Sequence, residues 1–317
     1  MEIIRGFKNL THPLTRSVLT IGNFDGVHSG HRKIISLAKE KAQAQRGQCV
    51  VYTFRPHPQI ALRPEAGTQL LSTYEEKLTL LEELGVDVVI EEPFTPEFFT
   101  LNPQEFFKEV LLKRLGATTI VVGYDFSFGR ERQGHLDQLQ ILCREAKVEL
   151  EIVPPQKLNG EIVSSSRIRK ALLEGQIEFA NRLLGRPFSY EGVVLEGDKR
   201  GRQLGFPTAN LRVSEKLILP YGVYATYATG PGIDGNSIPS VTNFGVRPTF
   251  QKGADIEQKP EPIVETHLLG TTIDLYGKKL KVQFISRLRE EIKFKSIDAL
   301  KIQILADIEK TKLLLKN

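Results

Sequence analysis

Two histidines in a glycine-rich stretch are the first residues of the chain whose types and spacing could do chemistry. His28 and His31 belong to residues 22–31, which read G-N-F-D-G-V-H-S-G-H. An apolar run precedes this stretch and helix-forming residues follow it, so it should join a strand to a helix start, where unpaired N–H groups attract an anion. Imidazoles placed there can stabilise phosphate oxygens whose charge grows during nucleophilic attack. The alternative is that each histidine only caps the helix or lies on the surface.

A second candidate for phosphate chemistry is residues 197–210, which read G-D-K-R-G-R-Q-L-G-F-P-T-A-N. The glycines bracket basic residues and would form a backbone cradle with cationic side chains. The Thr208 hydroxyl and the Asn210 amide oxygen are hard donors that suit Mg²⁺. From these residues alone, an ordinary basic glycine-rich hairpin remains the stronger interpretation.

Length and composition set the frame for these motifs. The 317 residues predict two domains, and 43 Lys+Arg against 38 Asp+Glu give a net charge of +5, which suits polyanionic ligands but is too small to indicate nucleic-acid binding. Cys49 and Cys143 are the only cysteines and form no C-x-x-C pair, which argues against a disulfide scaffold or a cysteine-rich zinc site. The chain shows neither a signal-peptide pattern nor a membrane-length apolar run. We therefore expect a cytoplasmic protein.

The pattern of elements changes near residue 185. Up to there, β-branched runs alternate with helix-period segments, which predicts a doubly wound parallel sheet. The predicted strands are 18–21, 50–54, 86–90 and 118–122, and the predicted helices are 31–46, 73–84 and 103–115. After residue 185, the extended runs 192–195, 222–226, 263–268 and 280–285 are broken by Gly and Pro, which favours a small antiparallel barrel or sandwich. Ser296 should cap a closing helix with Leu300, Ile304, Ile308 and Leu313–Leu314 on one side. The predicted domains are 1–185 and 186–317.

Four motifs of the first half resemble the FMN adenylyltransferase module of bacterial bifunctional riboflavin kinase/FAD synthetases, which belongs to the H-x-G-H nucleotidylyltransferases. They are residues 22–31, T-F-R-P-H-P at 53–58, G-Y-D-F-S-F-G at 123–129 and V-S-S-S-R-I-R at 163–169. The resemblance implies catalysis by His28 and His31. It implies ATP binding by Gly22, Phe24, Asp25, Gly30, Ser165, Ser166 and Arg169. It implies flavin binding by His57, Asp125, Phe126 and Phe128. Ser166 stands where the family usually has Thr.

Motifs of the second half resemble the riboflavin kinase module of the same family. Besides residues 197–211, they are N-F-G-V-R-P-T-F at 243–250, V-E-T-H at 264–267 and L-R-E-E-I-K-F at 288–294. The resemblance implies Mg²⁺ at Thr208 and Asn210, ATP at these two and at Gly197, Lys199 and Gly205, and flavin at Asn243, Arg247, Thr249 and Arg289. It makes Glu265 the general base that takes the proton of the riboflavin 5′-hydroxyl. Without the resemblance, Glu265 is a solvated strand carboxylate and Arg289 part of an exposed ion-pairing turn.

Together the motifs predict one enzyme that makes FMN from riboflavin and ATP and then FAD from FMN and a second ATP. The expected cofactor is Mg²⁺ with ATP, and the expected partners are ATP, riboflavin and FMN, without nucleic acid, membrane or an obligate protein partner. One alternative is that a single module is active, with Ser166 favouring loss of the first. Another is a basic nucleotide- or nucleic-acid-binding regulator, which the absence of tryptophan and the dispersed basic residues disfavour.

Overall fold

The computed structural model describes residues 1–128, 134–197, 200–212, 216, 219–233, 237–246, 262–271 and 273–315. The chain divides into two compact units, Met1–Ser165 and Ser166–Asn317. Each unit is built around its own sheet.

The first unit contains a six-stranded parallel sheet. Its strands are β1 (Glu2–Arg5), β2 (Ser17–Ile21), β3 (Gln48–Arg55), β4 (Val88–Pro93), β5 (Ala117–Gly123) and β6 (Glu149–Val153). Their order is β1-β4-β3-β2-β5-β6. All five residues of β2 are buried, as apolar runs covered on both faces of a parallel sheet should be. The predicted parallel sheet is confirmed, with β1 and β6 as strands that the periodicity did not mark.

Helices cover both faces of this sheet. They are α1 (Ser29–Ala44), α2 (Pro58–Leu62), α3 (Tyr74–Glu83), α4 (Pro96–Phe99), α5 (Pro103–Glu105) and α6 (Leu136–Ala146), with a π-helix at Phe106–Arg114 and 3₁₀ turns at Phe7–Asn9, Asp25–Val27 and Pro64–Ala66. A small hairpin follows, with strands β7 (Lys157–Leu158) and β8 (Glu161–Ile162). Successive strand residues alternate between two cores, because Val18 and Val51 pack on one side of the sheet and Leu19 and Tyr52 on the other. The segment predicted as one helix over residues 103–115 is instead a short α-helix that is continued by a π-helix.

The second unit is a closed antiparallel barrel. Its strands are β9 (Phe188–Leu195), β10 (Ala209–Arg212), β11 (Gly222–Thr229), β12 (Ile238–Val246), β13 (Pro262–Leu268) and β14 (Lys279–Arg289). The barrel order is β10-β13-β12-β11-β14-β9. Tyr190, Tyr224, Phe244 and Phe284 are almost fully buried and in ring contact. The predicted barrel is confirmed, while β10 and β12 were not predicted.

Among the described residues, the helices that accompany the barrel are α7 (Ser165–Leu173), α8 (Ile177–Leu184), α9 (Arg200–Leu204) and α10 (Ile297–Leu315). The predicted cap of α10 is present, because Ser296 Oγ accepts a hydrogen bond of 3.2 Å from the Ala299 amide. The predicted apolar side is wrong at its end, since Leu313 and Leu314 are 71% and 43% exposed. Ile308 and Thr311 are buried, and Leu315 packs against the core. Positions 308, 311 and 315 have the spacing of one helix face, and residues 313 and 314 lie outside that face.

In the described part of the chain, no helix has both the length and the apolar character needed to cross a membrane.

Candidate active sites

Residues 22–31, which we call the histidine loop, lie where the strand order of the first sheet reverses. From β2 the chain passes to β3 on one side, and β5 later joins β2 on the other. The loops that follow these three strands therefore meet at the carboxyl edge of the sheet, which is the usual ligand site of an open α/β sheet. The topology brings residues 22–31, His57 and residues 123–128 to this common edge.

His28 begins α1 and is stacked on His31. The Nδ1 atom of His28 accepts a hydrogen bond of 3.3 Å from the His31 amide, and the two rings are stacked with centroids 3.6 Å apart. A Cβ atom at Gly30 would lie 3.2 Å from the His28 ring, so glycine leaves the room that this ring needs. The capping alternative is thus realised for His28. It also places both imidazoles at the positive end of the helix.

His31 is held in a buried environment that disfavours its charged form. Burial first, then the neighbouring charges of His28 and Lys77, hold the pKa of His31 well below its usual value. Its Nδ1 atom is buried and has no hydrogen-bond partner among the described residues. A neutral imidazole with an unsatisfied nitrogen at a helix start is suited to meet a ligand oxygen.

Asp25 holds the loop to the rest of the first unit. Its carboxylate accepts hydrogen bonds from the amides of Leu71 at 2.9 Å and Ser72 at 3.3 Å, while the Gly26 amide donates to Ser72 Oγ at 3.1 Å. The Ser165 hydroxyl donates to the Asp25 carbonyl at 3.1 Å. The Asp25 side chain, buried to 4% exposure, therefore shapes the loop by binding backbone amides.

The phenylalanines of the two loops, Phe24 in the first and Phe126 and Phe128 in the second, have different surroundings. Phe24 has a left-handed backbone and a buried ring, which packs on Gly22 and meets the His31 ring edge-on at 5.2 Å. Phe126 and Phe128 are stacked with centroids 5.5 Å apart, and Phe128 belongs to the core. Phe24 and Phe128 thus have packing roles in the folded unit.

The remaining predicted residues of the first site lie as follows. His57 caps α2 through Nδ1, and its amide donates to the Tyr74 hydroxyl at 2.9 Å. Asp125 is exposed after β5. Ser166 and Arg169 lie on α7 within the second unit, the first exposed and the second half-buried.

In the barrel, three predicted residues form one row across neighbouring strands. Glu265 on β13 is paired with Asn210 on β10 on one side and with Asn243 on β12 on the other. Val264 and Thr266, the neighbours of Glu265 along the strand, are fully buried, so the row lies on the outer face of the barrel. Directly opposite side chains have Cβ atoms about 4.5–5.5 Å apart. The fold thus brings the Glu265 carboxylate together with two amides, of Asn210 and Asn243, that lie 55 and 22 positions before it in the sequence.

A cleft beside this row is formed mainly by described residues between 197 and 210. It is lined by Gly197, Gly201, Arg202, Pro207, Thr208, Asn210 and Tyr276. Within the motif, Arg200–Leu204 form the short helix α9 where a flexible cradle was expected. Gly205 ends it with a φ of +92°, which glycine adopts without strain. Tyr276 was not predicted, because an aromatic residue in a turn carries no signal of its own.

His267 is a second residue that the sequence did not mark. Its Nδ1 atom lies 2.8 Å from the Pro207 carbonyl, and its ring meets the Phe206 ring edge-on. Because a carbonyl only accepts, Nδ1 carries the proton and donates. The bond joins β13, which carries Glu265, to the segment that carries Thr208.

Arg289 has protein partners in the folded unit. Its Nη2 and Nε atoms lie 2.8 Å and 3.0 Å from Asp307 Oδ2, and Asp307, on α10, is 4% exposed. Its Nη1 atom donates to the Glu290 carbonyl at 2.9 Å. Arg289 is therefore ion-paired, but with a distant buried carboxylate and not within an exposed turn, and the flavin contact stays a prediction.

Glu291 contacts one end of the row formed by Asn210, Glu265 and Asn243. The Asn243 amide nitrogen lies 3.3 Å from Glu291 Oε1. A Cβ atom at Gly245 would collide with the same carboxylate, so glycine is needed for this approach. The predicted roles of Lys199, Arg247 and Thr249 fall on residues outside those that the structure describes.

The donors of the barrel cleft fit a hard cation. Within the described ranges, no group of three or more His, Cys, Asp and Glu side chains is placed to hold a metal. Thr208 and Asn210 instead offer a hydroxyl and an amide oxygen at the cleft, a donor set that suits Mg²⁺ when phosphate oxygens complete its shell.

The fold combines an open parallel sheet and a closed barrel, and each carries candidate residues of a two-module enzyme. Residues 11–167 match the family model for FAD synthetase, and residues 184–315 match that for riboflavin kinase. The chain belongs to the bifunctional riboflavin kinase/FMN adenylyltransferase family and carries both activities.

Relatives match over nearly the whole chain. The bifunctional riboflavin kinase/FMN adenylyltransferase of Escherichia coli (strain K12) is 37% identical over 97% of this chain and 96% of its own length. That of Bacillus subtilis (strain 168) is 35% identical over 94% and 95%. A crystal structure described as a macrolide-efflux protein from Streptococcus pneumoniae is 31% identical, covers 98% of both chains and superposes with a TM-score of 0.85.

Proposed function

We propose that the barrel phosphorylates riboflavin with Glu265 as the general base. We propose that the α/β module then adenylylates the resulting FMN, with His28 and His31 stabilising the transition state. ATP is the donor in both reactions, which release ADP in the first and pyrophosphate in the second. The observation that carries the assignment of the first reaction is the row of Asn210, Glu265 and Asn243 beside the cleft of Thr208.

In the kinase reaction, Glu265 accepts the proton of the riboflavin 5′-hydroxyl. The hydroxyl oxygen then forms a bond to the γ-phosphorus of ATP, while the bond from that phosphorus to the bridging oxygen breaks and ADP leaves. Asn210 and Asn243 flank Glu265 on the two neighbouring strands. Glu265 is only half-buried, so its carboxylate is accessible to a hydroxyl substrate.

We assign the Mg²⁺ of this reaction to Thr208 and Asn210, with Gly197, Lys199 and Gly205 around the phosphates. When bound, Mg²⁺ neutralises charge that develops on the β- and γ-phosphates. The hydroxyl and amide oxygens lie at the same cleft, and the His267 bond to Pro207 holds their segment against β13.

In the adenylyltransferase reaction, an oxygen of the FMN phosphate attacks the α-phosphorus of ATP. The bond from that phosphorus to the β-phosphate oxygen breaks, and pyrophosphate leaves. The attacking oxygen is already ionised, so no base is required. His28 and His31 and the first amides of α1 stabilise the negative charge of the transition state.

The other predicted contacts divide between the two substrates of this module. We propose that Gly22, Phe24, Asp25 and Gly30 shape the loop for ATP, with Ser165, Ser166 and Arg169 at the triphosphate. We propose that His57, Asp125, Phe126 and Phe128 receive the flavin, and that Asn243, Arg247, Thr249 and Arg289 do so in the barrel. Both cysteines are free and buried, which supports assignment to the cytoplasm.

A substitution pair tests the assignment of two separate sites. Glu265→Gln keeps the size of the side chain and removes the base, so riboflavin phosphorylation should fall by about 10²–10⁴-fold while FMN is still converted to FAD. His28→Ala and His31→Ala should do the reverse. Chromatography of flavin products formed with ATP and Mg²⁺, starting from riboflavin or from FMN, measures both reactions.

Glu191→Gln is the matched control, since Glu191 is an exposed carboxylate of the same barrel whose Oε1 atom lies 3.9 Å from Lys279. It should leave both reactions unchanged. Loss of both activities in Glu265→Gln, or unimpaired phosphorylation, would contradict the assignment.

A further inference from the structure

The ammonium group of Lys77 lies under the histidine loop. Lys77, on α3, is 4% exposed, and its Nζ atom donates to Thr53 Oγ1 at 3.0 Å and to the Phe54 carbonyl at 3.4 Å. The Thr53 hydroxyl in turn donates to the Asn23 carbonyl at 3.2 Å. One hydroxyl thus links α3, the end of β3 and the loop that contains His28.

A lysine in this position is costly to bury and needs compensating charge. Its charged and titratable neighbours are Asp25, His31, Arg55, Tyr74 and Glu91, and His28 is stacked on His31. The two carboxylates favour the ammonium form, while Arg55 disfavours it. The site therefore contains a buried cation whose charge is balanced by Asp25 and Glu91.

These opposing effects determine the pKa of the Lys77 ammonium. Burial is the largest cause and lowers the pKa of Lys77 to about 8, against the opposing effect of Glu91 and Asp25. The same positive charge is one of the causes that lower the pKa of His31. The charge of Lys77 and the protonation of His31 thus affect each other.

We propose that Lys77 is a positioning residue for adenylyl transfer, which holds the histidine loop through Thr53 and supplies positive charge beside His31, where the triphosphate of ATP binds. The proposal rests on the proposed role of His31. It differs from a packing role, because it requires the charge and the hydrogen bond of the ammonium and not only the volume of the side chain.

The test uses the full chain with Lys77→Met, Lys77→Arg and Thr53→Val. Lys77→Met keeps the length of the side chain and removes the charge, so kcat/KM for ATP in FAD formation should fall roughly tenfold to a hundredfold, because a small misplacement of a catalytic group costs about 10²-fold. Thr53→Val should give a smaller loss, because the charge of Lys77 stays in place, and the double variant should lose no more than Lys77→Met. Riboflavin phosphorylation by the same preparations should be unchanged.

Two further readouts separate positioning from packing. In the wild type, kcat/KM for ATP should fall as the pH rises above about 8, since the ammonium is lost, and Lys77→Arg should retain activity at higher pH because a guanidinium stays protonated. The His31 imidazole should titrate at higher pH in Lys77→Met when followed by NMR. Loss of packing alone would not make activity at high pH depend on whether residue 77 is lysine or arginine.

Lys113→Met is the matched control, because Lys113 is an exposed lysine of the same unit that pairs with Glu109 at 2.6 Å. If Lys77→Met folds cooperatively and keeps wild-type kcat/KM, or if Lys77→Arg leaves the alkaline limb in place, the proposal is overturned. If Lys77→Met does not fold, Lys77→Arg and Thr53→Val decide by the same criteria. If His31→Ala in the same series also leaves FAD formation intact, the proposed function of this site fails with it.

Discussion

His28 shows how a structural and a chemical role share one side chain. Its Nδ1 atom accepts the amide of His31, so the proton of a neutral His28 is on Nε2. The helix start thereby selects the tautomer of the residue that stands at its positive end. Capping and catalysis were opposing interpretations of the sequence, and the structure makes them compatible.

His267 is the residue for which the structure gives a prediction that the motif alone did not. His267→Phe keeps a ring beside Phe206 and removes the donor to Pro207, so the segment with Thr208 should lose its register against β13. We expect kcat/KM for ATP in riboflavin phosphorylation to fall roughly tenfold, with a smaller change in KM for riboflavin. Steady-state kinetics with each substrate varied in turn measures the difference.

His12→Phe, at an exposed histidine, provides the control for that experiment. FAD formation from FMN should be the same in both variants. Equal kcat/KM for ATP in His267→Phe and in the wild type would show that the bond to Pro207 has no part in positioning the cleft.

At the scale of elements, the sites arise where strands end or lie side by side. In the first unit, the loops after β2, β3 and β5 meet because parallel strands present their carboxyl ends at one edge. In the second unit, antiparallel pairing places Asn210 and Asn243 on either side of Glu265. Strand order decides the first site, and strand register decides the second.

The closing helix α10 is attached to β14 by the pair of Arg289 and Asp307. Asp307→Asn removes the charge that compensates Arg289, and breaking a buried pair in this way costs about 3 kcal/mol or more. We therefore expect the barrel unit to unfold at lower urea concentration. Urea unfolding followed by circular dichroism, with riboflavin phosphorylation as the activity readout, measures the loss.

Glu309→Gln is the comparison on the same helix, because the exposed pair of Glu309 and Lys312 should contribute at most about 1 kcal/mol. A midpoint for Asp307→Asn as high as that of Glu309→Gln would rule out a stabilising role for the Arg289 pair. FAD formation from FMN should not distinguish the two variants.

At the scale of the whole molecule, the segment between the two family matches belongs structurally with the barrel. The matches end at residue 167 and begin at residue 184, while the second compact unit begins at Ser166. Asn181 on α8 donates to the Phe284 carbonyl at 2.8 Å and accepts from the Phe188 amide at 2.7 Å. The predicted boundary at 185 stays a prediction, and these bonds define its test.

Two fragments compare the possible boundaries. A fragment of residues 186–317 should phosphorylate riboflavin but unfold at lower temperature than a fragment of residues 166–317. It lacks the buried side chains of Ile177, Leu183 and Leu184, each of which contributes about 1.5–3 kcal/mol when fully buried. Calorimetry of both fragments, with the activity of each measured below its transition, checks this expectation. Equal transition temperatures would show that α8 does not stabilise the barrel.

The sequence by itself predicted the parallel sheet and the barrel, which the structure confirms, and it supplied the candidate site residues, whose roles stay predictions. Local patterns suffice for this, because buried strands, helix faces and phosphate-binding loops each have a composition that is legible over a few residues. The tertiary structure decided what depends on distant partners. The row around Glu265, the bond of His267 to Pro207, the Arg289 pair and the buried ammonium of Lys77 each join residues far apart in the chain. Strand register and the packing of distant segments against each other, which no local pattern encodes, bring these residues together.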